Sequence, residues 1–296
     1  MKRFLWLGTI IYIAAVCFAF VALNENRIVL IGDSTVQSGQ EDRPDGVWGW
    51  GSVLKELYES TELIIDNQGV AGTSSRTFYR DRFAGVLEGL SAGDILMMQF
   101  GHNDVGSVDG DGKSSLKGIG ADTRTVTNSS GGTEVVHTYG WYLRQMVQQA
   151  KAKGVRVIVA SPVPKNNWTD EFISRDVDQY ALWAKQIATE ETADFMDLQN
   201  LVANLYDFIG KSVVDTYFPN DALHTSKEGA TETAKIVYQG LKGLGIIIEN
   251  DTNENIWELL GAEEDLSATA STHPGVTTVS VDGEAIPYAV FRDAGG

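Results

Sequence analysis

Three separated places in this sequence hold side chains that could do chemistry together. Ser34 stands in Gly32-Asp33-Ser34-Thr35, directly behind the apolar run Ile28-Val29-Leu30-Ile31. That run reads as a short buried strand, and a glycine at its end permits a sharp turn, so Ser34 sits where strand ends collect ligands. A hydroxyl placed there is a nucleophile once a base reaches it. The chain has four histidines: His102, His137, His224 and His273. Asp221 precedes His224 by three residues, and Glu134 precedes His137 by the same offset, so spacing alone does not choose between the pairs. Context favours His224, whose loop runs straight into a helical stretch. His137 instead closes a long polar excursion, and His273 falls in an acidic tail.

The elements that must position these groups alternate between strand and helix. Short apolar runs at 28–31, 63–65, 94–100, 155–160 and 193–198 have the texture of parallel strands covered on both faces. Helical spacing falls at 52–58, 139–153, 175–191, 201–209 and 229–244. The alternation predicts an α/β fold built on a mainly parallel five-stranded sheet. Strand ends then carry Asn67-Gln68-Gly69-Val70-Ala71-Gly72 and Gly101-His102-Asn103-Asp104. The first is not a dinucleotide or Walker fingerprint, although a glycine amide there can approach a small anionic oxygen. Residues 105–137, polar and rich in glycine, exceed an ordinary connection and read as a substrate-side loop. Trp48 and Trp50 could stack on a sugar face but read as core or rim filler.

The formal charge of −17 over 296 residues excludes the basic footprint of nucleic-acid binders. At the N-terminus Lys2 and Arg3 precede an apolar run from Phe4 to Val21, with small residues Ala19 and Ala22 beyond. This is the form of a cleaved secretory leader over 1–22, an uncleaved anchor being the alternative. Cys17, the sole cysteine, lies inside it, so neither disulfides nor a Cys/His metal site is expected in the mature chain. Residues 249–296 hold ten acidic residues against one basic, ending in an alternating stretch around Asp282-Gly283. They read as an acidic linker and a short β-rich tail of unknown role, outside a catalytic domain at 27–248.

The Gly-x-Ser-x-Gly elbow of ordinary α/β-hydrolases is absent, since Val36 occupies the position of the last glycine. In order and rough spacing, Gly32-Asp33-Ser34, Gly72, Asn103 and Asp221-x-x-His224 resemble the SGNH hydrolases. Val70-Ala71-Gly72, Phe100-Gly101-His102-Asn103-Asp104 and Phe218-Pro219 followed by Asp221 and His224-Thr225 resemble their rhamnogalacturonan acetylesterase branch, carbohydrate esterase family 12. The resemblance covers residues 27 to 245. It implies a three-layer α/β/α hydrolase of flavodoxin-like build, with Ser34 as nucleophile, His224 as base and Asp221 orienting it. The Ser34 amide, the Gly72 amide and the Asn103 side chain would receive the oxyanion, with no cofactor or metal. The implied substrate is an acetylated plant polysaccharide, rhamnogalacturonan first. Acetylated xylan, a lipase- or thioesterase-like activity and a non-catalytic carbohydrate-binding protein are the alternatives. His137 and Trp168 are candidate substrate contacts. Asp33 reads as a turn-fixing acceptor, His102 as a structural residue and Asp104 as a brace for the Asn103 loop.

Overall fold

In a computed structural model, which describes residues 27–37, 46–58, 63–175 and 178–246 and three short strands between 279 and 291, the apolar runs become one sheet. Its strands begin with β1 (Arg27–Gly32), β2 (Ile64–Asn67) and β3 (Ile95–Gln99). A hairpin of β4 (Thr123–Thr127) and β5 (Thr133–His137) precedes β6 (Arg156–Ala160). The small pair β7 (Trp168–Thr169) and β8 (Phe172–Ile173) leads to β9 (Asp194–Met196). The order β2-β1-β3-β6-β9 is parallel throughout. β10 (Val279–Val281) and β11 (Glu284–Ile286) pair antiparallel, Asp282-Gly283 lying outside the described residues, and β12 (Val290–Phe291) adds an antiparallel sixth strand beside β9.

Helices cover both faces: α1 (Trp50–Tyr58), α2 (Ser75–Phe78), α3 (Ala84–Gly89), α4 (Tyr139–Ala152), α5 (Asp178–Glu190), α6 (Leu198–Ile209), α7 (Lys211–Val214) and α8 (Lys227–Gly243). Successive strand residues point to opposite faces, so a strand covered twice has to be apolar at every position. Ile28, Leu30, Ile95, Met97 and Ile158 pack with Leu54 of α1, Val202 of α6 and Val237 of α8. Val29, Ile31, Leu96, Met98 and Val159 pack on the other face with Phe78 of α2, Met146 of α4 and Ile187 of α5. Each such side chain contributes about 1.5–3 kcal/mol on burial. This is the three-layer α/β/α arrangement expected from the sequence.

Two stretches differ from expectation. Residues 75–89 form α2 and α3 joined by a π-helical turn, Tyr79–Phe83, although no continuous helical spacing marks them. The excursion at 105–137 is not an open loop, because it contains the β4–β5 hairpin. Arg76, only 1% exposed, holds it: the guanidinium grips Glu134 at 2.9 and 2.8 Å and donates to the Val108 and Ser114 carbonyls. α6 also starts earlier than its spacing suggested, since the Asp197 side chain caps it by accepting from the Asn200 amide.

From β1 the chain runs out to β2 and returns on the other side to β3, which opens a crevice at the carboxyl end of β1. Gly32 ends that strand under tight packing, where an added Cβ would lie 2.6 Å from both the Gln99 carbonyl and a Val36 methyl. Gly32→Ala is expected to destabilise the protein by about 1–3 kcal/mol. Gly85→Ala in α3, where a Cβ meets nothing within 4 Å, should be neutral or stabilising by up to about 1 kcal/mol. Denaturant unfolding of both variants checks the contrast.

Candidate active site

The turn after β1 is set by Asp33, which is fully buried. Its Oδ1 accepts from the Thr35 amide at 2.9 Å and the Thr35 hydroxyl at 2.8 Å, while its carbonyl accepts from the Val36 and Gln37 amides. The tight turn leaves Ser34 half-buried at its tip. Asp33 Oδ2 accepts from His102 Nδ1 at 2.9 Å, and His102 Nε2 donates to the Val163 carbonyl at 2.9 Å. Both ring nitrogens face acceptors, which requires a proton on each and makes the ring an imidazolium. Burial pushes the His102 pKa down, but the charge and hydrogen bond of Asp33 and the Val163 carbonyl outweigh it and raise the pKa. Burial likewise pushes Asp33 up, and His102 with the Thr35 donors turns the balance downward. Asp33 and His102 thus form a buried ion pair tying the ends of β1 and β3.

Beside this turn, the segment after β2 is laced to β1: the Gln68 amide donates to the Leu30 carbonyl and the Val70 amide to the Gly32 carbonyl. Gly72 follows with φ +74°, a conformation that L side chains avoid. This backbone angle, not crowding, is what calls for glycine, since a Cβ would meet only the Lys113 ammonium at 3.5 Å. From the β3 end, Asn103 Nδ2 donates to the Thr73 carbonyl at 3.1 Å. One amide hydrogen of Asn103 is used there, and among the described residues the other has no acceptor. Among the described residues, neither the Ser34 nor the Gly72 amide is spent on a backbone acceptor. Asp104 is buried and receives the Ser75 amide and hydroxyl at the start of α2. Burial pushes its pKa up to about 6.

The fourth contribution comes from the loop ahead of α8, held by an antiparallel bridge between Trp48 and Thr225 and by the Asn166 amide on the Ala222 carbonyl. Ser34 Oγ lies 2.9 Å from His224 Nε2, and His224 Nδ1 lies 2.7 Å from Asp221 Oδ2. Asp221 Oδ1 accepts from the Leu223 and His224 amides at 2.7 and 2.8 Å. Burial raises the Asp221 pKa, but the backbone donors and the imidazole together bring it below the usual carboxylate value. Ser34, Gly72, Asn103, Asp221 and His224 line one pocket of about 520 Å³.

His137 and Trp168 do not line that pocket. The His137 ring stacks on Trp141 with centroids 3.7 Å apart, and Trp168 Nε1 bonds to Asn166 Oδ1 while the ring packs against the core. Both are occupied by packing. Trp50 is core, its indole N–H on Gln99, whereas Trp48 lines the pocket with Lys227 over its ring. Lys113 also lines it, an arrival from the excursion that no local sequence signal marked. Among the described residues no group of three or more His, Cys, Asp or Glu side chains is placed to hold a metal ion.

The chain belongs to the GDSL-like lipase/acylhydrolase family, whose profile matches residues 30–231, and it is a carboxylic ester hydrolase. It is 30% identical over 226 residues to the rhamnogalacturonan acetylesterase of Emericella nidulans, covering 75% of this chain and 87% of that one. It is 32% identical over 228 residues to the probable rhamnogalacturonan acetylesterase YesY of Bacillus subtilis, covering 75% and 94%. The crystal structure of YxiM from Bacillus subtilis superposes with a TM-score of 0.60 at 24% identity, over 75% of this chain and 57% of that chain, a likeness of fold.

Two consequences of the buried charges are measurable. His102→Gln strands the Asp33 carboxylate and should cost about 3–5 kcal/mol at neutral pH. A lone buried carboxylate has a raised pKa, so the deficit should shrink toward pH 4 in denaturant melts. Asp104 holds its proton more tightly folded than unfolded, so its contribution to stability is lost as pH rises from about 4 through its folded value of about 6. Asp104→Asn should abolish that part of the pH dependence and leave the variant relatively more stable at pH 8 than at pH 4.

Proposed function

We propose that this chain is a secreted serine esterase that removes acetyl groups from plant cell-wall polysaccharide, rhamnogalacturonan first. The observation that carries the mechanism is the continuous hydrogen-bonded line from Ser34 Oγ through His224 to Asp221, in a pocket that Gly72 and Asn103 also line. The two rhamnogalacturonan acetylesterases that align over most of their length support the substrate.

In this reading Ser34 Oγ attacks the acetyl carbonyl while His224 Nε2 takes its proton. Asp221 holds the opposite ring nitrogen, fixing the tautomer and stabilising the imidazolium as it forms. The developing oxyanion is received by the Ser34 and Gly72 amides and the free Asn103 amide hydrogen, all fixed before reaction. His224 returns the proton to the departing sugar hydroxyl, and water then releases acetate by the reverse sequence. Gln37, Asn220 and the Trp48 indole offer a polar and aromatic rim suited to a sugar, with little apolar depth for a long acyl chain. The leader at residues 1–22, on which secretion rests, lies outside the described residues. Membrane attachment after its removal and nucleic-acid binding are not part of the proposal.

Acetate release from acetylated rhamnogalacturonan, homogalacturonan and xylan tests the substrate, with rhamnogalacturonan expected to give the highest kcat/KM. Higher release from xylan, or faster hydrolysis of long-chain than acetyl 4-nitrophenyl esters, would refute that choice. On 4-nitrophenyl acetate, Ser34→Ala should fall to background and Asp221→Asn by about 10³–10⁴-fold. Asn103→Ala should lose roughly 10²–10³ in kcat. Wild-type rates in Ser34→Ala would end the mechanistic assignment.

A further inference from the structure

We propose that Lys113 forms a carboxylate-binding subsite at the mouth of the pocket, recognising a uronate carboxylate of the acetylated polysaccharide. The proposal rests on the reading of the chain as a rhamnogalacturonan acetylesterase and names what makes it selective for an acidic polymer. Among the described residues Lys113 is the one lysine or arginine lining the pocket, and Asp221, the one carboxylate among them, is already spent on His224 and two amides. The ammonium lies beside Gly72, where a hypothetical Cβ would be 3.5 Å from Nζ. Among the described residues it has neither a carboxylate nor a carbonyl partner, whereas Lys151, Lys153, Lys211, Lys227 and Lys235 each reach an oxygen.

The backbone beneath Lys113 is built to hold it there. The buried Ser74 hydroxyl donates to the Lys113 carbonyl, and buried Arg76 donates to the Ser114 carbonyl at 2.9 Å. Ser114 Oγ in turn donates to the Val105 carbonyl at 2.9 Å. Only the side-chain stem remains free, so a bound anion orders one chain and no loop. Charge makes the placement consequential. A chain of net charge −17 repels a polyuronate at range, but salt screens exposed charges beyond about 8–10 Å. Within that distance a local unpaired cation decides whether a carboxylate can dock.

The experiment compares wild type, Lys113→Gln and Lys113→Arg on acetylated rhamnogalacturonan oligosaccharides and on the same oligosaccharides after reduction of their carboxylates to alcohols. The native-to-reduced ratio of kcat/KM should fall roughly five- to tenfold in Lys113→Gln, chiefly through KM, as expected for a partly exposed charge-assisted contact, and recover in Lys113→Arg. Added salt should narrow the gap between the wild-type and Lys113→Gln ratios. An unchanged ratio in Lys113→Gln, or an equal kcat loss on both substrates, would overturn the subsite. A second measurement separates this proposal from the reading beneath it: unacetylated galacturonate oligomers as competitive inhibitors of 4-nitrophenyl acetate hydrolysis. Inhibition that weakens in Lys113→Gln supports the subsite even if rhamnogalacturonan proves a poor substrate. Equal inhibition of both proteins rejects it even if acetate is released.

Discussion

The buried pair of Asp33 and His102 is the constraint on which the site hangs. Placing two opposite charges in the interior costs several kcal/mol of desolvation per ion, and only good geometry with further hydrogen bonds offsets it. Here both conditions hold. Asp33 takes two donors from Thr35 besides the ring, and the ring's second N–H reaches Val163 at the end of β6. One imidazolium therefore joins the carboxyl ends of β1, β3 and β6. Ser34 and Asn103 are the residues that directly follow its two members, so the pair fixes the proposed nucleophile and a proposed oxyanion donor relative to each other. A hydrophobic substitute could fill the space but could not set this register.

The strands were legible because a doubly covered parallel strand must be apolar at every position, and Ile28 to Ile31 or Ile95 to Met98 show that without ambiguity. The hydrogen-bonded line of Ser34, His224 and Asp221 was legible for a different reason: a serine at a strand end and a carboxylate three before a histidine are local patterns. His102 was readable as structural, though its charge was not, since that depends on a carboxylate 69 residues away. The contents of residues 105–137 were opaque. Their order comes from Arg76, and burial of an arginine leaves no mark on the residues it anchors. His137 and Trp168 attracted attention as polar or aromatic groups near strand ends, yet Trp141 and Asn166 occupy them. Residues 75–89 escaped because short helical pieces broken by a π-turn and ended by Gly89 never build a long apolar stripe.

The site divides into two halves with different foundations. Ser34, Gly72 and Asn103 sit on turns welded to the sheet, where neighbouring backbones exchange hydrogen bonds at the switch point. His224 and Asp221 ride on a loop attached through Trp48, Asn166 and the cap of α8. Trp48 thus joins three tasks, bridging Thr225, stacking under Lys227 and facing the pocket. Its position between the halves explains why a tryptophan that looks like rim filler belongs to the site.

The separation of those halves along the chain has a consequence for biosynthesis. Ser34 and His224 are 190 residues apart, so at translation speeds of about 5–20 residues per second the serine waits on the order of 10–40 s for its imidazole partner to be made. No nascent fragment ending before residue 224 holds both, so under the proposed mechanism ester cleavage waits until most of the chain has been made.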